Sequence, residues 1–321
     1  MDDLAMLNKK LDGRVKSQRP LAPFTTYKIG GPADYYFKAE NQADLKNAVL
    51  AARELNLPFF ILARGSNVLI SDSGFRGLIV HNKPRQCTVK GNSIVADSGI
   101  NLSQLANFAK ENSLSGIEFA AGIPGSLGGA IRGNAGAWGK EMKDLVKKVL
   151  IISEQGVFKE SNQEQCEFKY RDSVFKHNSE IILSAELGLQ KGNKDEIAKE
   201  IRRIVKEKKK KQEFKLPSAG CVFKNPLVDY SISELIQKKI DPEKRKADGT
   251  IPAGYLIEET GLKGKRIGDA MVSDIHANFI VNLGKATAEN VIILIGIIKE
   301  KVRGQFGIQL QEEIQYVGFD N

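Results

Sequence analysis

The stretch EFAAGIPGSLGGAIRGNAGAWGKEM, residues 118–142, carries glycine at positions 122, 125, 128, 129, 133, 136 and 139. Glycine permits tight turns, and because it lacks a Cβ it lets the backbone come close to a ligand. Backbone N–H groups exposed in such a loop suit a diphosphate. The stretch matches neither G-x-G-x-x-G after a clear strand nor GxxxxGK[ST], so neither common nucleotide loop applies. It therefore predicts either a diphosphate-binding loop or a tightly packed, buried turn region.

A second glycine turn lies in FFILARGSNVLI, residues 59–70. An apolar run leads into the polar residues 64–67, and a second apolar run leaves them. Strand, short polar turn and strand in this order predict a β-hairpin.

Length and composition place the chain among ordinary globular proteins. Its 321 residues are enough for two or three domains, and 41% of them are hydrophobic. The first residues lack the apolar core of a secretory signal, and the longest apolar run, 291–298, is far shorter than the roughly 20 residues that span a bilayer. Three widely spaced cysteines and three scattered histidines indicate neither a disulfide framework nor a metal site. We therefore expect a cytoplasmic protein without a membrane span or a bound metal.

The net charge is +9, and much of it comes from KEKKKKQEFK, residues 206–215, which holds six lysines and two glutamates. A basic cluster can bind nucleic acid, but no interleaved aromatic residues or nucleic-acid motif accompany it. A solvated helix face explains the lysines better. A positive field that attracts anionic substrates is a third use.

Taken in order, the chain predicts alternating helices and strands. Apolar spacing indicates helices at 1–12, 42–56, 102–112, 194–211 (a plausible domain boundary), 232–240, 255–260 and from 287 onward. Strands are expected from 33, at 77–81, 181–189, 278–283 and 310–319, with hairpins at 87–96 and 146–159.

Residues 59–70 and 118–142 together resemble the two diphosphate-binding segments of FAD-binding domains of the vanillyl-alcohol-oxidase type. GIPGSLGGAIRGNAGAWG is more specific, and it is similar to the flavin loop of the UDP-N-acetylenolpyruvoylglucosamine reductase family. TTYKIGG at 25–31 and GLKGKRIGDAMVSDIHANFIVNLG at 261–284 also resemble segments of this family. No obvious insertion carries the tyrosine loop of the longer members, so the chain is similar to the shorter subclass.

The resemblance implies an α+β fold: an FAD-binding domain of the vanillyl-alcohol-oxidase type in two subdomains, followed by a C-terminal α+β substrate domain. The expected segments are 1–85, 86–205 and 206–305, with 306–321 as a C-terminal strand that carries Glu313. The implied cofactor-binding residues are Arg64, Gly65, Ser66, Asn67, Ala121, Gly122, Pro124, Gly125, Gly128, Gly129, Arg132, Gly136 and Ile182.

Three further motifs carry the catalytic residues that the resemblance implies. In CEFKYRDSVFK, residues 166–176, the family's catalytic arginine corresponds to Arg171, whose guanidinium can hold a carboxylate and stabilise an enolate. In PSAGCVFKNP, 217–226, Cys221 stands where the family usually has a proton-donating serine, and a thiol can also donate a proton. In LQEEIQYVG, 310–318, Glu313 corresponds to the catalytic glutamate, and strand alternation places Glu312 on the opposite face. Gln315 replaces the family's usual arginine.

Weaker candidates for substrate binding are Lys215, Asn225 and Trp138, while His276 is interpreted as structural. The resemblance implies non-covalent FAD, NADPH as co-substrate and a UDP-sugar substrate that is reduced for peptidoglycan synthesis. A flavin oxidase of the same superfamily and, less favoured, a nucleic-acid-binding protein are the alternatives. The residues leave open the oligomeric state and the choice between NADPH and NADH.

Overall fold

The computed structural model describes residues 2–213, 215–228 and 239–319, with the backbone alone at Lys211. The chain divides into two compact units, each built from discontinuous segments. The first unit comprises Met1–Arg19, Ala33–Arg64 and Arg76–Lys210; the second comprises Pro20–Pro32, Gly65–Phe75 and Lys211–Asn321. The boundaries expected near residues 85, 205 and 305 stay predictions.

The helices are, in chain order, α1 Asp3–Lys10, α2 Gln42–Glu54, α3 Leu102–Glu111, α4 Leu127–Arg132, α5 Lys194–Lys211, α6 Ala253–Glu259 and α7 Ala288–Phe306 among the described residues. The strands there are β1 Lys16–Pro20, β2 Pro32–Ala39, β3 Phe59–Leu62, β4 Val68–Ile70, β5 Phe75–Asn82, β6 Cys87–Lys90, β7 Ser93–Asp97, β8 Leu114–Ser115, β9 Gly136–Ala137, β10 Lys140–Glu141, β11 Val146–Ile152, β12 Phe158–Asn162, β13 Ile181–Gly188, β14 Gln190–Lys191, β15 Ser218–Cys221, β16 Arg266–Ile267, β17 Ala270–Val272, β18 Phe279–Asn282 and β19 Gln315–Val317.

The two larger sheets of the first unit have strand orders β1-β2-β5-β3 and β12-β11-β13-β7-β6, and its two-residue strands form the pairs β10-β9 and β14-β8. Helices α1 and α2 pack beside the first sheet, where Leu7, Leu45 and Val80 belong to one buried cluster. Helices α3 and α4 pack on the second sheet, and Leu105, Ile131 and other apolar side chains fill a separate cluster there. The amphipathic spacing of α2 accounts for its placement, since its buried residues recur at helical intervals.

The second unit has a sheet of order β15-β18-β17-β16 and a parallel pair of β4 with β19. Helices α6 and α7 contribute to a buried cluster of the described residues, which also includes Tyr27 and Leu69. Thr287 begins α7 with a capping box, and Gly307 ends it in the left-handed conformation. This unit holds the region that follows the long charged helix α5.

Most of the predicted local elements are confirmed. The hairpins β6–β7 and β11–β12 are antiparallel as expected. Most of the helix predicted at 232–240 lies outside the described residues, and the strand predicted at 310–319 is shorter, at Gln315–Val317.

The hairpin predicted at 59–70 is wrong, although both strands exist. Strand β3 pairs in parallel with β5, whereas β4 pairs in parallel with β19 near the C-terminus. The two strands on either side of the glycine turn thus belong to different units. A partner from the far end of the chain replaces the local partner that the pattern suggested.

Candidate active site

The glycine segment 118–142 lies in the first unit and combines a 3₁₀ turn at Glu118–Gly122, the short helix α4 and the two-residue strands β9 and β10. An added Cβ at Gly128 would lie 2.8 Å from Ser98 Cβ, and one at Gly136 would lie 2.7 Å from the Lys140 carbonyl oxygen. At Gly129, which is exposed, an added Cβ would meet only Ser126 Oγ, at 3.4 Å. The segment is therefore both a packed turn region and a surface where some glycines, Gly129 and Gly139 among them, leave the backbone open to a ligand.

Hydrogen bonds hold the carbonyl groups of this segment in place. Ser103 Oγ donates to the Ala121 carbonyl at 3.0 Å, and Lys208 Nζ donates to the Gly122 carbonyl at 3.0 Å. The Leu102 N–H donates to the Gly125 carbonyl at 3.1 Å. Pro124 is exposed beside them. A loop fixed in this way is preorganised for a ligand.

The chemistry of the segment fits FAD. Residues 119–140 contain no acidic side chain, which suits a diphosphate. Asn82 donates from Nδ2 to Ser98 Oγ at 2.9 Å, and the Ser98 carbonyl accepts the Gly128 N–H at 2.8 Å. Within the described ranges no donor reaches the buried Asn82 Oδ1. This oxygen is therefore an acceptor for a hydroxyl or imide of the cofactor, and Ser98 connects Asn82 to the loop. Sequence reasoning missed Asn82 and Ser98, because nothing local distinguishes them.

Arg171 occupies a strained turn in the first unit. Its φ of 54° is left-handed, which is uncommon for a residue with a side chain and is frequent at functional sites. Lys169 and Asp172 exchange backbone hydrogen bonds of 3.1 Å around it. Arg171 Nη2 donates to the Gly136 carbonyl at 3.0 Å, and Lys176 Nζ donates to the Arg171 carbonyl at 2.6 Å. The predicted catalytic arginine is thus tied to the glycine segment.

Arg132 and Asp172 are charged groups close to this turn. Burial lowers the pKa of Arg132, while the charge of Asp172 acts in the opposite direction. Arg132 Nε donates to the Phe175 carbonyl at 3.1 Å. Burial would raise the pKa of Asp172, but its hydrogen bond with His177 and the charge of that ring lower it overall.

The first unit also holds three other residues that were predicted to bind substrate or cofactor. Trp138 is 43% exposed in a left-handed turn, and the Arg203 guanidinium carbon lies 5.4 Å from its ring centroid. Ile182 lies in β13 and is buried in the core of the second sheet. Arg64 is exposed just after β3. Their predicted ligand contacts stay predictions.

The rest of the turn at 64–67, from Gly65 onward, lies in the second unit. Gly65 has a φ of 59°, and an added Cβ there would lie 2.6 Å from the Phe24 carbonyl oxygen. The Gly65 carbonyl accepts from Thr26 N at 3.0 Å and from Thr26 Oγ1 at 3.2 Å. Thr26 Oγ1 is also 2.7 Å from the Ser218 carbonyl oxygen. Thr26 therefore links the turn, where Ser66 is half-buried, to the strand that ends at Cys221.

Cys221 follows a β-bulge. Strand β15 pairs with β18 through Ser218 opposite Val281 and Cys221 opposite Phe279, so β15 contains one extra residue. Gly220, within this bulge, has a φ of 78°. Bulges redirect side chains and are over-represented beside active sites. Cys221 is half-buried at the end of this strand and is not part of a disulfide.

The C-terminal segment holds Glu313 next to the residue that follows Cys221. The Glu313 N–H donates to the Val222 carbonyl at 2.7 Å, and the Lys224 N–H donates to the Gln311 carbonyl at 2.9 Å. Asn67 Nδ2 donates to the Glu313 carbonyl at 3.1 Å. The structure thus brings together Asn67, Glu313 and the Cys221 strand.

Asn278, which lies in the stretch 261–284, supports the same segment. Its Oδ1 accepts from Phe223 N, and its Nδ2 donates to the Phe223 carbonyl, both at 2.9 Å. His276 Nδ1 lies 3.2 Å from Asn278 N, which agrees with a structural histidine. Two weaker candidates are engaged in local structure: Asn225 Oδ1 accepts from Ala253 N at 3.0 Å at the start of α6, and the exposed Lys215 donates from its backbone N–H to Glu213.

The lysine run of α5 is only partly a solvated face. Lys206, Lys209 and Lys210 are exposed, in agreement with the prediction. The prediction is wrong for Lys208, whose ammonium group contacts the glycine segment. In the part of the chain that the structure describes, no helix combines the length and apolar character needed to cross a bilayer.

Comparison with known proteins supports the relationship that the motifs suggest. Residues 33–161 match a family described as an FAD binding domain, and residues 211–317 match the C-terminal domain of UDP-N-acetylenolpyruvoylglucosamine reductase. The chain is 39% identical over 308 residues to the UDP-N-acetylenolpyruvoylglucosamine reductase of Caldanaerobacter subterraneus subsp. tengcongensis, covering 96% of this chain and 95% of the relative. It is 40% identical over 314 residues to the reductase of Carboxydothermus hydrogenoformans, with 97% of each chain covered.

A solved structure extends the similarity to three dimensions. The crystal structure of UDP-N-acetylenolpyruvylglucosamine reductase from Thermus caldophilus superposes with a TM-score of 0.75 at 32% identity, covering 95% of this chain and 99% of the other. The predicted fold class, an FAD-binding domain followed by a reductase C-terminal domain, is confirmed. This chain therefore belongs to the UDP-N-acetylenolpyruvoylglucosamine reductase family.

Proposed function

We propose that this protein is an FAD-dependent oxidoreductase that uses NADPH to reduce UDP-N-acetylglucosamine enolpyruvate to UDP-N-acetylmuramate, a precursor of peptidoglycan. One observation carries this conclusion: an FAD-binding domain and the C-terminal domain of this reductase family occur together in one chain, at 39% identity over nearly its whole length to a named reductase. The same pairing argues against a flavin oxidase, which would share only the FAD-binding part.

The chain's own residues would bind and orient the reactants. Bound FAD would supply the hydride chemistry, from NADPH to C3 of the enolpyruvyl group. The glycine segment 118–142 and the turn 64–67 would hold the cofactor through backbone groups. The basic charge of the protein would attract both the UDP-sugar and the phosphorylated nicotinamide.

Proton transfer and charge stabilisation would come from three side chains. Arg171 would hold the substrate carboxylate and stabilise the enolate that forms as C3 gains hydride. Cys221 would give the proton on Sγ to C2, which completes the reduction, and its thiolate would then recover a proton from water. Glu313 would orient the groups around C2. A bulge at Gly220 interrupts the regular pairing of β15 just before Cys221. Because bulges redirect side chains beside active sites, this supports the proposed role of Cys221.

The activity is tested by following NADPH absorbance in the presence of FAD, with and without the enolpyruvyl substrate. We expect consumption that depends on this substrate, with one NADPH used for each molecule reduced. NADPH oxidation that ignores the substrate but consumes oxygen would instead support the oxidase alternative. Replacing NADPH with NADH in the same assay determines the nicotinamide preference.

The role of Cys221 is tested by single-turnover reduction of the substrate with prereduced enzyme. Cys221→Ala removes the donor and should slow this step by roughly 10²- to 10⁴-fold, the range of a positioned general acid. Cys221→Ser keeps a hydroxyl donor and should retain substantial activity. Reduction of the flavin by NADPH should stay near wild type in both variants.

The thiol adds a distinctive pH dependence to this test. Thiolate cannot donate the proton, so wild-type substrate reduction should fall on the alkaline side and be blocked by alkylation. Cys221→Ser should resist alkylation and lack that alkaline loss. If Cys221→Ala reduces substrate at nearly the wild-type rate, Cys221 has no part in the mechanism.

Nucleic-acid binding is not part of the proposed function. On α5, Lys206, Lys209 and Lys210 are exposed and Lys208 contacts a backbone carbonyl, and neither arrangement requires a polyanion. Its absence stays a prediction, and so does the cytoplasmic location.

A further inference from the structure

Helix α5 contacts the glycine segment through Lys208. Its Nζ donates to the Gly122 carbonyl at 3.0 Å, although the two residues are far apart in the chain. The neighbouring Lys209 and Lys210 are exposed, whereas Lys208 is partly buried. One lysine of the basic run therefore differs from its neighbours in having a defined backbone contact within the same unit.

The stem of Lys208 also accounts for the glycine at position 122. An added Cβ there would lie 2.7 Å from Lys208 Cδ, and 3.5 Å and 3.6 Å from Cε and Cγ. Gly122 does not have the positive φ that would itself demand glycine. The missing Cβ thus makes room for the lysine side chain rather than for a ligand.

The peptide group between Gly122 and Ile123 is held at both of its polar ends. Its carbonyl accepts from Lys208, and its N–H, on Ile123, donates to the Ala120 carbonyl at 3.0 Å. The preceding carbonyl, on Ala121, accepts from Ser103 Oγ. This peptide group joins the 3₁₀ turn Glu118–Gly122 to residues 123–129, so its orientation sets the direction in which those residues leave the turn.

We propose that Lys208 is a positioning residue for the cofactor diphosphate, acting through the Gly122 carbonyl. This inference rests on the proposed role of the glycine segment in binding FAD. A hydrogen bond from a charged donor is stronger than one between neutral groups, and preorganising a loop lowers the cost of binding. Lys208 thereby fixes the loop before the ligand arrives, and the loop's own backbone, not the ammonium group, binds the diphosphate.

The test compares Lys208→Met with Lys209→Met as a matched control. Both changes remove one positive charge and keep an unbranched chain, but only the first removes the contact with Gly122. FAD affinity is measured by titrating the apoprotein and following flavin fluorescence. We expect the dissociation constant to rise about tenfold for Lys208→Met and less than twofold for Lys209→Met, where tenfold corresponds to about 1.4 kcal/mol.

Measurements at high salt distinguish the direct hydrogen bond of Lys208 from long-range attraction between charges. At about 0.5 M salt, screening removes most of the attraction between distant charges, while a direct hydrogen bond persists. The difference between the two variants should therefore remain. Equal weakening by both variants, lost at high salt, would overturn the proposal and leave the lysines with a steering role only.

Gly122→Ala tests the same contact from the opposite side. Its Cβ would displace the flexible Lys208 side chain, so it should weaken FAD binding about as much as Lys208→Met does. The double variant should bind FAD no more weakly than either single variant, because one contact is lost only once. Additive losses would contradict the proposed coupling.

Two readouts distinguish this proposal from simpler failures. The melting temperature of the FAD-free Lys208→Met protein should lie within about 2 °C of wild type, close to the effect of a surface substitution. A much larger drop would make Lys208 a general structural residue and overturn the positioning role. A wild-type protein that binds FAD but does not reduce the UDP-sugar would contradict the proposed function and leave the Lys208 comparison intact.

Discussion

Gly65 offers the clearest test of how the turn at 64–67 is held, since Gly91 provides a matched control. Both glycines have a φ of 59°, but an added Cβ at Gly91 would meet no atom within 4 Å. At Gly65 it would lie 2.6 Å from the Phe24 carbonyl oxygen and 2.8 Å from Thr25 Cα. Alanine at either position therefore adopts the same strained backbone conformation, and only Gly65→Ala also adds a steric conflict.

The contacts around Gly65 determine how much more free energy Gly65→Ala costs than Gly91→Ala. The left-handed conformation costs an alanine about 1–2 kcal/mol, and both variants share this cost. Ordinary van der Waals contact begins near 3.4 Å, so the Gly65→Ala backbone must move by several tenths of an ångström. Such a shift disrupts the two hydrogen bonds from Thr26 to the Gly65 carbonyl, each contributing about 1 kcal/mol. We expect the free-energy cost of keeping the native turn geometry to be about 2 kcal/mol higher in Gly65→Ala than in Gly91→Ala.

The assay is the FAD dissociation constant of each variant, measured on protein that retains the wild-type circular dichroism spectrum. If the turn binds the cofactor, 2 kcal/mol corresponds to roughly 30-fold weaker binding for Gly65→Ala than for Gly91→Ala. Equal dissociation constants for the two variants would refute the reasoning that the turn must keep this geometry to bind FAD.

Two further predictions concern His81 and Arg171. Burial, followed by the charge of Lys83, lowers the pKa of His81 to about 4, so its NMR signal, assigned with His81→Gln, should not titrate between about pH 8 and pH 5. Burial thus favours the neutral ring by roughly 3 kcal/mol. Because the unfolded chain is protonated first, the free energy of unfolding should decrease by up to this amount as the pH falls from 6.5 through about 4. An NMR midpoint above pH 6 would contradict the assignment of a buried, neutral His81. Arg171→Lys keeps the charge but loses the planar fork, and in stopped-flow experiments it should slow substrate reduction by roughly 10²-fold while hardly changing flavin reduction by NADPH. Equal losses in both steps would indicate that Arg171 supports the fold or the flavin.

Local structure was predictable wherever the partners are close in sequence. The hairpin β6–β7 turns at Gly91, whose positive φ suits a tight turn, and the apolar spacing of α2 determines its buried face. The same reasoning wrongly predicted a hairpin around the turn at 64–67, because β4 pairs with β19 and not with β3. A local pattern cannot reveal such a long-range pair, since either partner satisfies the backbone of a short strand equally well.

The glycines show the same limit at the candidate site. From the sequence, every glycine in 118–142 is a candidate for close approach to a ligand. The structure assigns several of them to contacts within the protein: Gly128 to Ser98 and Gly136 to the Lys140 carbonyl. Gly129 keeps an open side. Which of the glycines a ligand can use depends on neighbours from other parts of the chain, which composition and spacing do not contain.

The C-terminal segment favours Glu313 over its neighbour as the proposed catalytic acid. Glu312 Oε1 forms an ion pair of 2.9 Å with Lys299 of α7. Glu313, by contrast, is bound through its backbone to both Val222 and Asn67. These two bonds fix the main chain of Glu313 beside the strand of Cys221 without using its carboxylate. Motif alignment and an expected strand alternation selected Glu313 from the two adjacent acids. Strand β19 begins only at Gln315, so alternation does not apply to them, and the ion pair of Glu312 is the structural feature that agrees with the choice of Glu313, which stays a prediction.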